Sequence, residues 1–190
     1  MRIAVFGGSF NPVHTGHAII ASSVAALPEI DEVWMMVSPQ NPLKVDKKLM
    51  PEEERLRLVQ LVAGECQHVK ASDFEFSLPR PSFTYNTLCR LRERFPQHDF
   101  SILIGSDNWR VFNHWRDADR IISEFGVIIY QRPDVVVEPP FPNGVTLLEG
   151  LPMMMISSTY VRELMAAGCD FRFLVPDVVY KELKDGRKYD

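Results

Sequence analysis

Short apolar runs recur along the chain, separated by longer stretches in which apolar residues repeat at helical spacing. The runs cover residues 2–6, 32–38, a shorter piece around 68–71, 100–104, 126–130 and 145–148. Runs this short and this continuous are the pattern of buried parallel strands. Between them, a helix is predicted from near Thr15, with Ala18, Ile19, Ala21, Val24 and Ala25 as its apolar positions. Pro51-Glu-Glu-Glu54 opens a second, because proline suits a first turn and the acids complement the helix dipole; Leu56, Val59, Leu61 and Val62 give it an apolar face. Residues 84–95 form a third, with Leu88 and Leu91 inward, and 111–123 are helical in parts. A further helix opens at 156–162 with serine or threonine at its cap and stops at Gly168, and 176–184 suggest a closing one. Residues 39–50 read as a polar loop, 73–83 as irregular, 133–144 as a proline-rich surface excursion and 185–190 as a loose tail. Strands alternating with helices predict an α/β protein whose parallel sheet is covered on both faces.

Composition narrows the class. A chain of 190 residues suits a single domain over 1–190, with a small helical subregion at about 157–185. The formal net charge of −4 argues against a general nucleic-acid binder, which carries a basic face, but leaves room for small anionic ligands at a local positive site. Cys66, Cys89 and Cys169 are odd in number and far apart, as expected of thiols in a reducing compartment rather than of a disulfide framework. With no leader pattern and no apolar run long enough to span a bilayer, the expectation is a cytoplasmic protein without membrane or nucleic-acid partners. Whether it forms a homo-oligomer is left open.

Candidate chemistry gathers where strands end and helices begin. Gly7 and Gly8 allow unusual φ and close backbone approach to a ligand. Asn11 and Pro12 turn the chain, and His14 and His17 follow beside Ser9 at the start of the next helix. Open α/β sheets bind ligands at strand carboxyl ends, and helix N-termini favour anions, so a nucleotide phosphate suits this stretch. Against that, short βα turns use glycine for purely structural reasons. Two histidines three apart can also bind a metal, although no third or fourth ligand stands nearby, or serve acid–base catalysis. Asp107, in Gly105-Ser-Asp107 at another strand end, suits ribose hydroxyls or a plain helix cap. Ser157-Ser158-Thr159 with Arg162 one turn on can hold polyphosphate, or simply cap a helix. Lys44, like Lys47 and Lys48, suits a solvated loop. Trp109 and Trp115 default to core residues, although a flat ring also stacks on heterocycles.

In combination and in this order, Gly7-Gly-Ser-Phe-Asn-Pro-Val-His-Thr-Gly-His17, Gly105-Ser-Asp107 and Ile156-Ser-Ser-Thr-Tyr-Val-Arg162 resemble the nicotinate-nucleotide adenylyltransferases, in the superfamily marked by an H-x-G-H signature. The resemblance covers Met1 to about Val179. Its narrower markers are Pro42-Leu-Lys44, Ser82-Phe-Thr-Tyr-Asn-Thr-Leu88, Trp115, Arg132-Pro133 and Phe173-Leu-Val-Pro-Asp177. The chain departs from the usual pattern with Asn11 for aspartate, Phe83 for tyrosine, Asn86 for aspartate, and Gly-Ser-Asp for Gly-Ala-Asp.

The resemblance implies a Rossmann-like, doubly wound parallel sheet of the nucleotidyltransferase type, with helices on both faces. It implies adenylyl transfer from ATP to nicotinate mononucleotide, giving nicotinate adenine dinucleotide and pyrophosphate, with Mg²⁺ accompanying ATP and no metal ligands from the protein. By the same likeness His14 and His17 would meet the ATP phosphates, His17 nearest the transferring one, and Gly7, Gly8, Ser9 and Phe10 would lie along the nucleotide. Gly105 and Asp107 would meet the adenosine ribose, and Ser157, Ser158 and Arg162 the β- and γ-phosphates. Thr84 and Trp115 would define the nicotinate pocket, Trp115 by stacking, and Lys44 would approach the mononucleotide's phosphate. The rivals are the same chemistry on nicotinamide mononucleotide or another phosphate ester, and a non-catalytic nucleotide-binding module.

Overall fold

The computed structural model describes residues 1–39 and 49–184. In chain order they form β1 (Arg2–Gly8), α1 (Thr15–Ala25), β2 (Glu32–Val37), α2 (Glu52–Gly64), β3 (Val69–Ser72) and α3 (Thr84–Arg94). These are followed by β4 (Asp99–Gly105), the single turn α4 (Ser106–Trp109), α5 (Ala118–Glu124), β5 (Val127–Tyr130), β6 (Val145–Leu148), α6 (Ser158–Ala166) and α7 (Asp177–Lys184). Short 3₁₀ turns occupy Phe74–Ser77 and Phe112–His114.

All strand pairs are parallel, and the six-stranded sheet has the order β3-β2-β1-β4-β5-β6. This is the doubly wound order, in which the chain reverses direction across the sheet between β1 and β4. Alternate residues of the strands other than the edge strand β3 feed two separate cores, as a pleated backbone allows. Ala4 and Phe6 of β1 join Val33, Met35 and Val37 of β2 in the core beneath α1, α2, α6 and α7. Ile3 and Val5 join Phe100, Ile102 and Ile104 of β4 in the core beneath α3 and α5. The continuous apolar runs in the sequence are thus strands buried on both faces.

Three expectations shift. β1 does not stop before its glycines: Gly7 and Gly8 remain in register with Met36 and Val37, because ladder bonds need no side chain. The irregular stretch before α3 contains one of the 3₁₀ turns, with Glu75 buried in it. The inward face of α2 is rotated from the expected one: Arg55, Leu58, Val59, Val62 and Ala63 are buried, whereas Leu56 and Leu61 are only half-buried. A guanidinium thus takes a place on that face.

Candidate active site

The carboxyl ends of β1 and β4 face a cleft of about 440 Å³, into which the N-terminal ends of α1, α3 and α6 also lead. It lies at the sheet's switch point, where the chain leaves neighbouring strands in opposite directions and a crevice opens.

On the β1 side, the strand ends at glycines for a local reason. A Cβ on Gly7 would project into open space, whereas one on Gly8 would come within 3.0–3.2 Å of the Phe10 ring. Phe10 is itself held at φ 45, a conformation unusual for a bulky residue, with its ring edge-on to Phe6 at 5.7 Å and to His17 at 5.0 Å. Asn11 is buried and ties two distant segments to this turn. Its side-chain oxygen accepts the Met50 N–H at 2.9 Å, and its carbonyl accepts from Arg162 Nη1 at 2.6 Å.

His14 occupies the N-cap of α1 and His17 its first turn, as the spacing predicts. Their rings stack at 3.7 Å. His17 Nδ1 accepts the His14 N–H at 3.2 Å, which puts the ring hydrogen of neutral His17 on Nε2. Burial, reinforced by the positive charge of Arg132, pushes His14 down to about 4, so it is neutral at physiological pH. Its Nδ1 meets no hydrogen-bond partner among the described residues. Gly16 makes room for this ring: a Cβ there would stand 3.1 Å from His14 Nδ1.

The α6 end is joined directly to this turn. Ser157 caps the helix by accepting the Tyr160 N–H at 3.1 Å, and Ser158 Oγ donates to the Pro12 carbonyl at 2.9 Å. Arg162, one turn further on, also donates to Thr159 Oγ1 at 3.2 Å. Both serines therefore have structural duties, and what they offer an anion is chiefly main-chain N–H at a helix start.

At the β4 end, Gly105 precedes α4, and a Cβ on it would collide with the Asp107 carboxylate and press on Arg132 and Tyr130. Asp107 is half-exposed and stands 3.8 Å from Arg132 Nε. The Arg132 N–H is fixed by the buried Ser106 hydroxyl at 2.9 Å.

The opposite wall carries Thr84, first residue of α3, and Trp115, whose ring lies 5.1 Å from Phe112. Here the structure adds groups that sequence alone did not single out. Arg116 lines the cleft beside the expected nicotinate pocket, with its guanidinium 5.0 Å over the Phe83 ring and its Nε 3.7 Å from the Asp117 carboxylate. Glu75 lies beneath the same wall; burial raises its carboxyl, while hydrogen bonds with Ser38, Thr87 and Ser82 oppose that shift. Nothing in the local pattern around Glu75 marks it, since its partners come from three other segments. Trp109, by contrast, packs on Phe112 and Phe141 as a core residue would.

The cleft therefore gathers Gly7, Gly8, Ser9, Phe10, His14, His17, Thr84, Gly105, Asp107, Trp115, Ser157, Ser158 and Arg162. Lys44 lies outside the described residues. Arg132, noted in the sequence only as a family marker, joins the cleft as a further cation.

Residues 5–164 match the model of the cytidylyltransferase-like family. The "Probable nicotinate-nucleotide adenylyltransferase" of Bacteroides fragilis is 43% identical over 183 residues, which cover 96% of this chain and 90% of the relative. The protein of the same name from Bacteroides thetaiotaomicron is 44% identical over 186 residues, covering 97% and 92%. A solved structure of Plasmodium falciparum nicotinic acid mononucleotide adenylyltransferase complexed with NaAD shares the fold, with a TM-score of 0.81 at 19% identity over 97% of this chain and 95% of that one.

Proposed function

The chain belongs to the cytidylyltransferase-like family and, within it, to the nicotinate-nucleotide adenylyltransferases, and from that premise we propose how its cleft works. It transfers the adenylyl group of ATP to nicotinate mononucleotide, a step of NAD biosynthesis, and releases pyrophosphate. The acceptor's phosphate oxygen bonds to the α-phosphorus as the bond to the β-phosphate oxygen breaks in line, and that electron pair leaves on pyrophosphate. The nucleophile is a phosphate monoester with a second pKa of about 6, already largely dianionic at pH 7. It needs little help from a base. The work lies in aligning two polyanions and screening the charge that builds between them.

The observation that carries this reading is that one cleft holds the equipment for both substrates. On one side stand the stacked histidines, the N-terminal end of α6 and Arg162; on the other stand Trp115 and Thr84. In this assignment Gly7, Gly8, Ser9 and Phe10 run along the nucleotide, and His14 and His17 act as donors to the phosphates. A neutral His14 fits a donor better than a proton shuttle, since little of it would be charged at working pH. Asp107 and Gly105 take the ribose. Ser157, Ser158 and Arg162 take the β- and γ-phosphates, the serines through their N–H groups. Trp115 stacks on the pyridine; Lys44, outside the described residues, is assigned to the acceptor phosphate. Main-chain N–H groups near Thr84 receive the nicotinate carboxylate, and Arg116 adds positive charge at the same wall. Residues 1–190 act as one domain, with its helical part at about 157–185 closing the ATP end.

Mg²⁺ fits this cleft as a cation carried by the triphosphate. Magnesium wants oxygen ligands, carboxylates above all, but the Asp107 carboxylate lies near Arg132, Glu75 is tied to hydroxyls, and the histidines offer only nitrogen. When bound, it neutralises phosphate charge. Among the described residues no helix is long and apolar enough to cross a membrane, and a cytoplasmic setting suits the three free cysteines.

Pyrophosphate release measured with ATP alone, with nicotinate mononucleotide and with nicotinamide mononucleotide tests the assignment. Release is expected only with an acceptor and faster with the acid. Preference for the amide would reassign the substrate, and no acceptor-dependent release would leave only a nucleotide-binding module.

A further inference from the structure

Arg55 is the bulkiest of the fully buried side chains, with 1% of its surface exposed. It sits in the first turn of α2, where a helix dipole disfavours a cation, and burial holds its guanidinium below the usual arginine range. Such a charge is costly to bury unless its donors are well satisfied. Its Nε donates to the Met50 carbonyl at 2.9 Å, and Nη1 donates to the carbonyls of Ser9 at 2.6 Å and Ser38 at 2.8 Å. Nη2 donates to the Pro39 carbonyl at 3.0 Å. All four acceptors are main-chain carbonyls, and they come from three separated stretches.

Those stretches divide between the two sides of the cleft. Ser9 lies just past β1, in the stretch assigned to the nucleotide. Ser38 lies just past β2, and it also hydrogen-bonds to Glu75, which holds Thr87 of α3 beneath the acceptor wall. Met50, the third anchor, is gripped from its other side by Asn11. A planar guanidinium with its fixed fork of donors can join these carbonyls at once; no apolar side chain of similar volume could.

We propose that Arg55 is a positioning residue for adenylyl transfer, locking the chain past β1 to the chain past β2 and so setting the ATP side of the cleft against the acceptor side. This rests on the reaction assigned above. In-line transfer between two bound polyanions is sensitive to alignment, and a displacement near 1 Å can cost about a hundredfold in rate. Arg55 is buried and does not line the cleft. Its loss should therefore appear in kcat, while His14, Arg162 and Trp115 continue to bind.

The test measures kcat and both KM values per folded molecule, with folding followed by circular dichroism, for wild type, Arg55→Lys and Arg55→Met. Arg55→Lys keeps the charge but offers a single nitrogen; it is expected to fold and to lose at least about fivefold in kcat, with both KM values within about threefold of wild type. Arg55→Met should lose more, and part of that loss should return in Arg55→Lys. A folded Arg55→Lys with wild-type kcat, or a loss confined to KM, would overturn the proposal even if Arg55→Met does not fold. Absence of nicotinate mononucleotide turnover in wild type would instead sink the assigned reaction.

Discussion

His14 owes its charge state to burial. Its ordinary pKa is 6.5, and in the folded chain it is pushed down to about 4, first by desolvation and then by Arg132. The unfolded chain therefore takes up this proton first as pH falls. Stability present at neutral pH declines from about 6.5 and levels off below about 4, a loss of up to about 3 kcal/mol. Urea unfolding at pH 7.5 and 4.5 should show wild type losing more stability than His14→Gln across that interval; equal losses would contradict the buried neutral imidazole. Arg116 makes a different kind of prediction. A positive charge at the acceptor wall favours a carboxylate over an amide, so Arg116→Gln should narrow the acid-over-amide ratio of kcat/KM by about threefold to tenfold, with ATP KM unchanged. An unaltered ratio would leave discrimination to the α3 main chain alone. At this scale the histidines and Arg162 were legible because their motifs are local. Asn11 was not: its partners, Met50 and Arg162, lie 39 and 151 residues away.

At the scale of elements, α1 gives up helix propensity to serve the cleft. Alanine at position 16 would favour the helix by about 1 kcal/mol, yet a Cβ there would press on the His14 ring. Gly16→Ala is therefore expected to melt no lower than a few degrees below wild type while losing at least about tenfold in kcat, since a ring pushed aside no longer meets the phosphates squarely. Wild-type kcat would show that the ring can yield at no cost. The starts of α2 and α6 could be read from sequence because dipole and capping signals are local, and that of α1 because its apolar spacing is. The rotation of α2 had a signal too: Arg55 falls at helical spacing with Leu58, Val59 and Val62. Hydrophobicity alone excludes a guanidinium from such a face, and only the carbonyls of Ser9, Ser38, Pro39 and Met50 make a place for one.

At the scale of the molecule, alternation of strands and helices pointed to a parallel sheet, and the strand order followed once pairing was seen. The sequence carries no local mark of that order, because neighbouring strands β1 and β4 are almost a hundred residues apart. The C-terminal helix belongs to the core beneath α1 and α2, to which it contributes Val179, Tyr180 and Leu183. Burying each such side chain is worth about 1.5–3 kcal/mol, against a total stability of about 5–15 for an ordinary domain. A chain ending at Pro176 should therefore lose its cooperative thermal transition; a retained one would mean that α7 only decorates the fold. One further consequence follows from how the β1–α1 turn is tied down. Pro12 is held by Ser158, Asn11 by Arg162, and the Thr15 N–H by the Leu174 carbonyl. The glycines and histidines are synthesised about 140 residues before Ser158, and these ties form only once residues 158–174 have been added. Nascent chains halted before residue 157 would carry every residue of the H-x-G-H stretch and still lack the ATP end of the cleft.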